Sequence, residues 1–229
     1  MKYSLIVISL NEVEGMKATL PKIDKNLFHE RLVIDGGSTD GSIEYAESLG
    51  YTVIRQKSKG VVGGLREGID AATGDALLMY TPDNNMIPEK IPEMIAKMEE
   101  GYDMVVASRY LNGAKSYDDT IISGFGNWMF TTLNRVIFGC KTTDVLQLFR
   151  IIRKDMFTKL NMEIGLSFTT RLWIRGTQAK LKLGEISGDE PARIGGESSR
   201  SIIKNGLVEV FTILEEFFRL MSIKLSEPK

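Results

Sequence analysis

The stretch YTPDNNMIPEKIPEM, Tyr80 to Met94, decides how this chain is read. An apolar run, DALLMY (Asp75–Tyr80), stops at Pro82, Asp83, Asn84 and Asn85, and a proline-started helix follows, with Ile91, Met94, Ile95 and Met98 at helical spacing. One carboxylate and two amides therefore stand at the tip of a buried strand. Polar groups in such a place need partners.

Working outward from that strand, the first half alternates in a regular way. SLIVIS (Ser4–Ser9), RLVID (Arg31–Asp35), YTVIRQ and DMVVAS (Asp103–Ser108) are apolar runs rich in β-branched residues, separated by turns and helical patterns. One such helix carries Ile43, Ala46 and Leu49 on a face and stops at Gly50. Buried strands alternating with helices predict βαβ units and a mainly parallel, Rossmann-like sheet flanked by helices, an α/β fold. Ligands collect at the carboxyl ends of such strands. Those ends carry SLNE, DGGSTDG, QKSKG, TPDNN and SRY, five polar clusters on one edge.

The second half reads differently. Ile121–Phe138 predicts an amphipathic helix with Ile122, Phe125, Met129, Leu133 and Val136 on one face. QAKLKLGEI alternates at Ala179, Leu181 and Leu183 as a strand would, and SGDEPARIGGESS is a loop. A C-terminal amphipathic helix carries Ile203, Leu207, Val210, Phe211, Leu214, Phe217, Phe218 and Met221 on one stripe. No firm domain boundary emerges, so residues 1–229 are taken as one domain.

The charge balance excludes several functions. A formal net charge of −1 gives no basic field for nucleic acid, so any anionic ligand must meet a local group of Lys and Arg. Cys140 is the single cysteine and His29 the single histidine, far apart in sequence. A buried structural thiol and a reducing, cytoplasmic setting fit best. The opening MKYSLIVISLNE is short, lacks a small-residue cleavage site and reads as a first strand rather than a signal peptide. No uncharged apolar stretch reaches the length of a membrane span, which predicts a soluble or peripheral chain.

Taken together, SLNE, DGGSTDG, KGVVGGLREGIDAATGD, PDNN and IPEKIPEMI resemble, in order and spacing, the landmarks of glycosyltransferase family 2, the inverting enzymes with the GT-A fold. VVASRY, TDVLQLFRIIRKDMF and RIGGESS are similar to strings of the dolichyl- or polyprenyl-phosphate sugar synthases within it. The resemblance implies a nucleoside-diphosphate sugar as donor, bound by residues 1–110 through Ser9, Asn11, Glu12, Asp35, Gly37, Lys59, Gly60 and Asp83. It implies a divalent cation, Mg²⁺ or Mn²⁺, on Asp83 and Asn85 that neutralises the leaving diphosphate. Asn85 stands where the family has a second acid, so weak metal binding is expected, with Asp118 and Asp119 as reserve acids. Gly36 likewise replaces an acid of the nucleotide turn.

Residues 111–229 are then the acceptor half, for a polyprenyl phosphate or a surface glycan. Arg109, at the end of a strand, is placed beside the diphosphate. Arg150 and Arg153, three apart and read as sharing a helix face, together with Arg193 and Ser198 in the Gly/Ser-rich loop, are assigned to acceptor phosphate, since guanidinium forks suit phosphate oxygens, with surface salt bridges to neighbours such as Asp155 as the alternative for Arg150 and Arg153. Asp144 is the candidate general base for a hydroxyl acceptor, with a helix N-cap as its structural alternative; a phosphate nucleophile needs no base. The C-terminal stripe is expected to be buried or to meet another copy or a membrane-protein partner, with a peripheral seat on the cytoplasmic membrane face as a further reading. Two rival functions stand beside this one: a non-catalytic sugar-nucleotide-binding protein, favoured by the weakened metal motif, and a sugar nucleotidyltransferase, disfavoured because SLNEVEGMK lacks a basic Gly-rich first turn.

Overall fold

The computed structural model describes residues 1–195 and 201–226. Its elements run β1 (Tyr3–Ser9), α1 (Val13–Thr19), β2 (Glu30–Asp35), α2 (Ser42–Ser48), β3 (Thr52–Arg55), α3 (Gly60–Ala71), β4 (Ala76–Tyr80), α4 (Ile91–Glu99), β5 (Met104–Ser108), α5 (Ile121–Phe138), β6 (Arg150–Arg153), α6 (Asp155–Lys159), α7 (Phe168–Gln178), β7 (Leu183–Ser187) and α8 (Ile202–Ser226). One seven-stranded sheet has the order β3-β2-β1-β4-β6-β5-β7. All neighbours are parallel except β6, which runs antiparallel to both β4 and β5.

The central strands explain the apolar runs. β1 lies between β2 and β4, and all seven of its residues are buried. Period-two alternation sends Ile6 and Ile8 to the face covered by α3, α5 and α7, and Leu5 and Val7 to the face covered by α1 and α4. Cys140 is buried and unpaired, as a small core residue.

Three expectations change. FRIIR forms a strand, not a helix: Ile151 and Ile152 enter the cores on opposite faces, and residues three apart on a strand point to opposite sides. Arg150 and Arg153 therefore share no face. The strand at QAKLKLGEI starts only at Leu183, because α7 continues through Gln178 and Lys180 takes a left-handed turn. The stripe of α8 is not buried: Ile203 is 79% exposed, Phe211 68% and Phe218 64%.

One close approach couples fold to site. A Cβ placed on Gly15 of α1 would lie 2.1 Å from the backbone oxygen of Pro82 and 3.2 Å from the Cα of Asp83. Backbone on both sides leaves no room to yield. Gly15→Ala is expected to destabilise the chain by about 1–3 kcal/mol through overpacking, read as a lowered urea midpoint; an unchanged midpoint would show that α1 does not brace the Asp83 turn.

Candidate active site

Ser9, Asp35 and Asp83 lie at or just beyond the carboxyl ends of β1, β2 and β4, three strands adjacent in the sheet. The first two βα turns are laced together. Asp35 accepts the backbone N–H groups of Gly37 and Ser38, each at 2.8 Å, and the Ser38 hydroxyl at 2.6 Å. Gly37 meets this geometry with φ +102°, a region glycine enters without strain. Asn11 accepts from Thr39 N–H at 2.9 Å and its own N–H donates to Ser38 Oγ. Asp40 accepts from the Val13 and Ser42 N–H groups at the starts of α1 and α2 and so ties the two turns together. Lys59 is exposed at the start of α3, beside Gly60 with φ +77°.

The opening stretch closes on a loop from the far end of the chain. Asp83 accepts the Thr81 hydroxyl at 3.0 Å and the Asn85 N–H at 3.2 Å on one oxygen, and Arg193 at 2.6 Å on the other. The same guanidinium donates to Glu12 at 3.0 Å. Asn84 and Asn85 donate their amide N–H groups to the carbonyls of Ala192 and Pro191, each at 2.9 Å, and Ile194 N–H donates to the Asp83 carbonyl. Arg193 thus bridges two carboxylates from neighbouring strands. Ser9 Oγ, Glu12 Oε2 and Arg193 Nε are buried here without a hydrogen-bond partner and are open to a further polar partner. Burial, then the nearby charge of Asp83, pushes the Glu12 carboxyl up to about 7, against the pull of Arg193.

A second charge cluster lies beside it. Arg109 donates to both oxygens of Asp144, at 2.7 and 2.9 Å, and to Glu190 at 3.2 Å. All three are buried. Ser116 also donates to Glu190, while Glu185 accepts from the Thr142 hydroxyl and the Thr143 N–H and so fixes the turn that carries Asp144. No helix follows Asp144, so the N-cap alternative falls. Neither Glu190 nor Glu185 was singled out from the sequence; the acid three residues before Arg193 in DEPAR was the one available signal.

The remaining basic residues lie elsewhere. Arg150 is fully buried, donating to the carbonyls of Gln147 and Thr169, and burial pushes its guanidinium down to about 9. Arg153 is registered with Ala76 at the opposite end of β4 and pairs on the surface with Asp103 and Asp155. Asp119 accepts from Tyr110 and Ser123 at the start of α5, not from the Asp83 turn. Ser198 lies outside the described residues.

Among the described residues no three His, Cys, Asp or Glu side chains gather into a metal centre. Asp83 offers carboxylate oxygens already engaged by Arg193, Thr81 and Asn85, and Asn85 retains its amide oxygen. That donor set fits a hard cation shared with a substrate diphosphate, the usual manner of Mg²⁺ binding, rather than one held by protein alone.

The sequence pattern of Glycosyl transferase family 2 matches residues 4–160. The chain belongs to that family. It is 32% identical over 123 residues to a dolichol-phosphate mannosyltransferase of Pyrococcus furiosus, covering 50% of this chain and 35% of that protein. It is 28% identical over 142 residues to an undecaprenyl-phosphate 4-deoxy-4-formamido-L-arabinose transferase of Proteus mirabilis, covering 57% and 43%. The match thus spans less than half the length of either relative. Glucosyl-3-phosphoglycerate synthase of Mycobacterium tuberculosis, solved with Mn²⁺, UDP and phosphoglyceric acid, superposes with a TM-score of 0.72 over 94% of this chain and 78% of that one at 18% identity. The chain therefore shares the overall fold of that enzyme.

Two outcomes test this geometry. Folded Glu12 titrates near 7 against 4.5 in its ordinary state, so between those values the folded chain holds the extra proton. The group's contribution to stability therefore falls as pH rises through that window. In metal-free buffer Glu12→Gln should flatten the loss of thermal stability between about pH 5 and pH 8; an unchanged slope would contradict the raised carboxyl. Arg109→Met leaves two buried carboxylates uncompensated and should cost about 3–5 kcal/mol in denaturant unfolding, whereas a loss below about 1 kcal/mol would place the pair in an exposed setting.

Proposed function

We propose that the chain is an inverting glycosyltransferase that moves a sugar from a nucleoside-diphosphate sugar to a polyprenyl phosphate. The observation that carries this reading is Arg193 poised between Glu12 and Asp83, with unpartnered donors and acceptors around it, at the strand ends where this family's landmarks converge. The nucleoside sits over the β1 and β2 turns, against Ser9, Asn11, Asp35 and Gly37, with Lys59 and Gly60 at the margin. The diphosphate faces Asp83 and Arg193. Asp83 and Asn85 are the residues that would hold a divalent cation, which would supply Lewis-acid stabilisation of the leaving group. Arg193 adds fixed positive charge at the same oxygens.

Sugar transfer is a single in-line displacement. An acceptor oxygen attacks the anomeric carbon, the bond to the nucleoside diphosphate breaks, and configuration inverts. The bidentate hold of Arg109 on Asp144 favours a phosphate acceptor over a sugar hydroxyl. A hydroxyl needs a base with a free oxygen, whereas a phosphate monoester arrives as an anion. Both curated relatives are named for transfer to polyprenyl phosphates, which supports the same acceptor class. Asp144 then serves to position Arg109. A lipid acceptor implies a place at a membrane surface, and among the described residues no helix is long and apolar enough to cross one.

The test is transfer from a panel of UDP- and GDP-sugars to undecaprenyl or dolichyl phosphate with Mn²⁺. Product should form with one donor, and Asp83→Ala should lower turnover by about 10²–10³-fold. Nucleotide binding without transfer or donor hydrolysis, in wild type and variant alike, would make the chain a binder instead.

A further inference from the structure

Helices α5 and α8 turn a row of apolar residues outward, although Phe130, Phe138 and Ile213 enter the core. On α5 the polar residues Asn127, Thr131 and Asn134 are buried, while Ile121, Ile122, Phe125, Trp128 and Val136 are exposed. On α8 Glu209, Thr212 and Glu216 are buried, while Ile203, Leu207, Phe211, Leu214 and Phe218 are exposed. The inward acids explain this orientation. Thr170 donates to Glu209 at 2.7 Å, and Arg175 and Arg219 each reach Glu216 at 2.6 Å. Ion pairs with α7 and within α8 thus point the apolar stripe away from the protein. Two adjoining helices with outward apolar faces far exceed the scattered exposed side chains of an ordinary surface.

Charge identifies what covers the face. α5 contains no acidic residue, and its only charge, Arg135, is exposed. Glu215, the acid of α8 that is not buried, is taken by Arg171 at 2.7 Å, and Lys204 is exposed on the first turn. Among the described residues of these two helices, exposed carboxylates are thus neutralised and exposed cations are not. Aromatic rings are paired on each: Phe125 with Trp128 at 5.6 Å, Phe217 with Phe218 at 5.7 Å. Apolar residues with aromatics and flanking cations match a bilayer interface with anionic headgroups. Trp128 and Arg135 also rim a cleft of about 160 Å³ that reaches Tyr110 and Thr143, next to Arg109 and Asp144, so the face borders an opening into the acceptor half.

We propose that the outward faces of α5 and α8 seat the chain on an anionic lipid surface. The choice of lipid over a second copy of the chain rests in part on the lipid-phosphate acceptor proposed above. The test is co-sedimentation of the whole chain with vesicles of phosphatidylcholine alone and with added phosphatidylglycerol, comparing wild type with Phe125→Asp and Phe218→Asp. Both side chains are exposed, so folding, checked by circular dichroism, should survive. Wild type should sediment with the anionic vesicles, less so at high salt, and each variant should lose at least about tenfold in partition. Wild type left in the supernatant, or variants that bind as well as wild type, would overturn the proposal. So would a dimer in solution that Phe218→Asp dissociates without any vesicle binding. Nucleotide binding by the same samples separates the two readings: its absence in wild type would sink the transferase while leaving vesicle binding as evidence for the face.

Discussion

Two carboxylates close together inside a protein need a cation or a shared proton, and in this chain Arg193 stands between them. It donates to Glu12 at 3.0 Å and to Asp83 at 2.6 Å, with both acids largely shielded from water. Three residues earlier, Glu190 is held by Arg109, which also holds Asp144. One short run therefore ties the Glu12 and Asp83 turns to the Arg109–Asp144 pair. Its backbone is pinned to Asn84, Asn85 and Asp83 by three hydrogen bonds. In the proposed transfer an entering diphosphate would compete with the two carboxylates for this guanidinium.

Polar contacts also govern the outer layer. α8 is anchored by the buried pairing of Glu216 with Arg175, by the Thr170 hydroxyl on buried Glu209 and by the surface pair of Glu215 with Arg171 rather than through its apolar stripe, with Ile213 as its buried apolar contact in the core. Breaking one member of such a pair is costly because the other is left charged and desolvated. The arrangement therefore fixes the orientation of α8, and with it the apolar face, more strictly than a hydrophobic contact would. Fold, site and surface depend on charges held inside the molecule.

Much of the fold was legible in the sequence because buried parallel strands have a plain signature. SLIVIS, RLVID, DALLMY and DMVVAS all form strands, and the polar clusters after SLIVIS, RLVID and DALLMY carry Glu12, Asp35 and Asp83. Short apolar runs bounded by charge were ambiguous. In FRIIR only pairing with β4 and β5 selects strand over helix, and that pairing sends Arg153 to the far edge of the sheet. Amphipathicity told that α8 has a stripe but not which way it points. The deciding partners, Thr170, Arg171 and Arg175, lie about forty residues away in sequence. Glu190 was hidden for a similar reason, since nothing local says that it meets Arg109 across 81 residues.

In the proposed function Arg193 and Asp83 together hold a sugar nucleotide's diphosphate. The most direct measurement is a crystal structure of the chain with a nucleoside diphosphate and Mn²⁺. Phosphate oxygens should lie within hydrogen-bond distance of the Arg193 guanidinium, with the cation held at Asp83 and Glu12 released from the ion pair. A nucleotide bound elsewhere, with the Glu12–Arg193–Asp83 bridge unbroken, would contradict it.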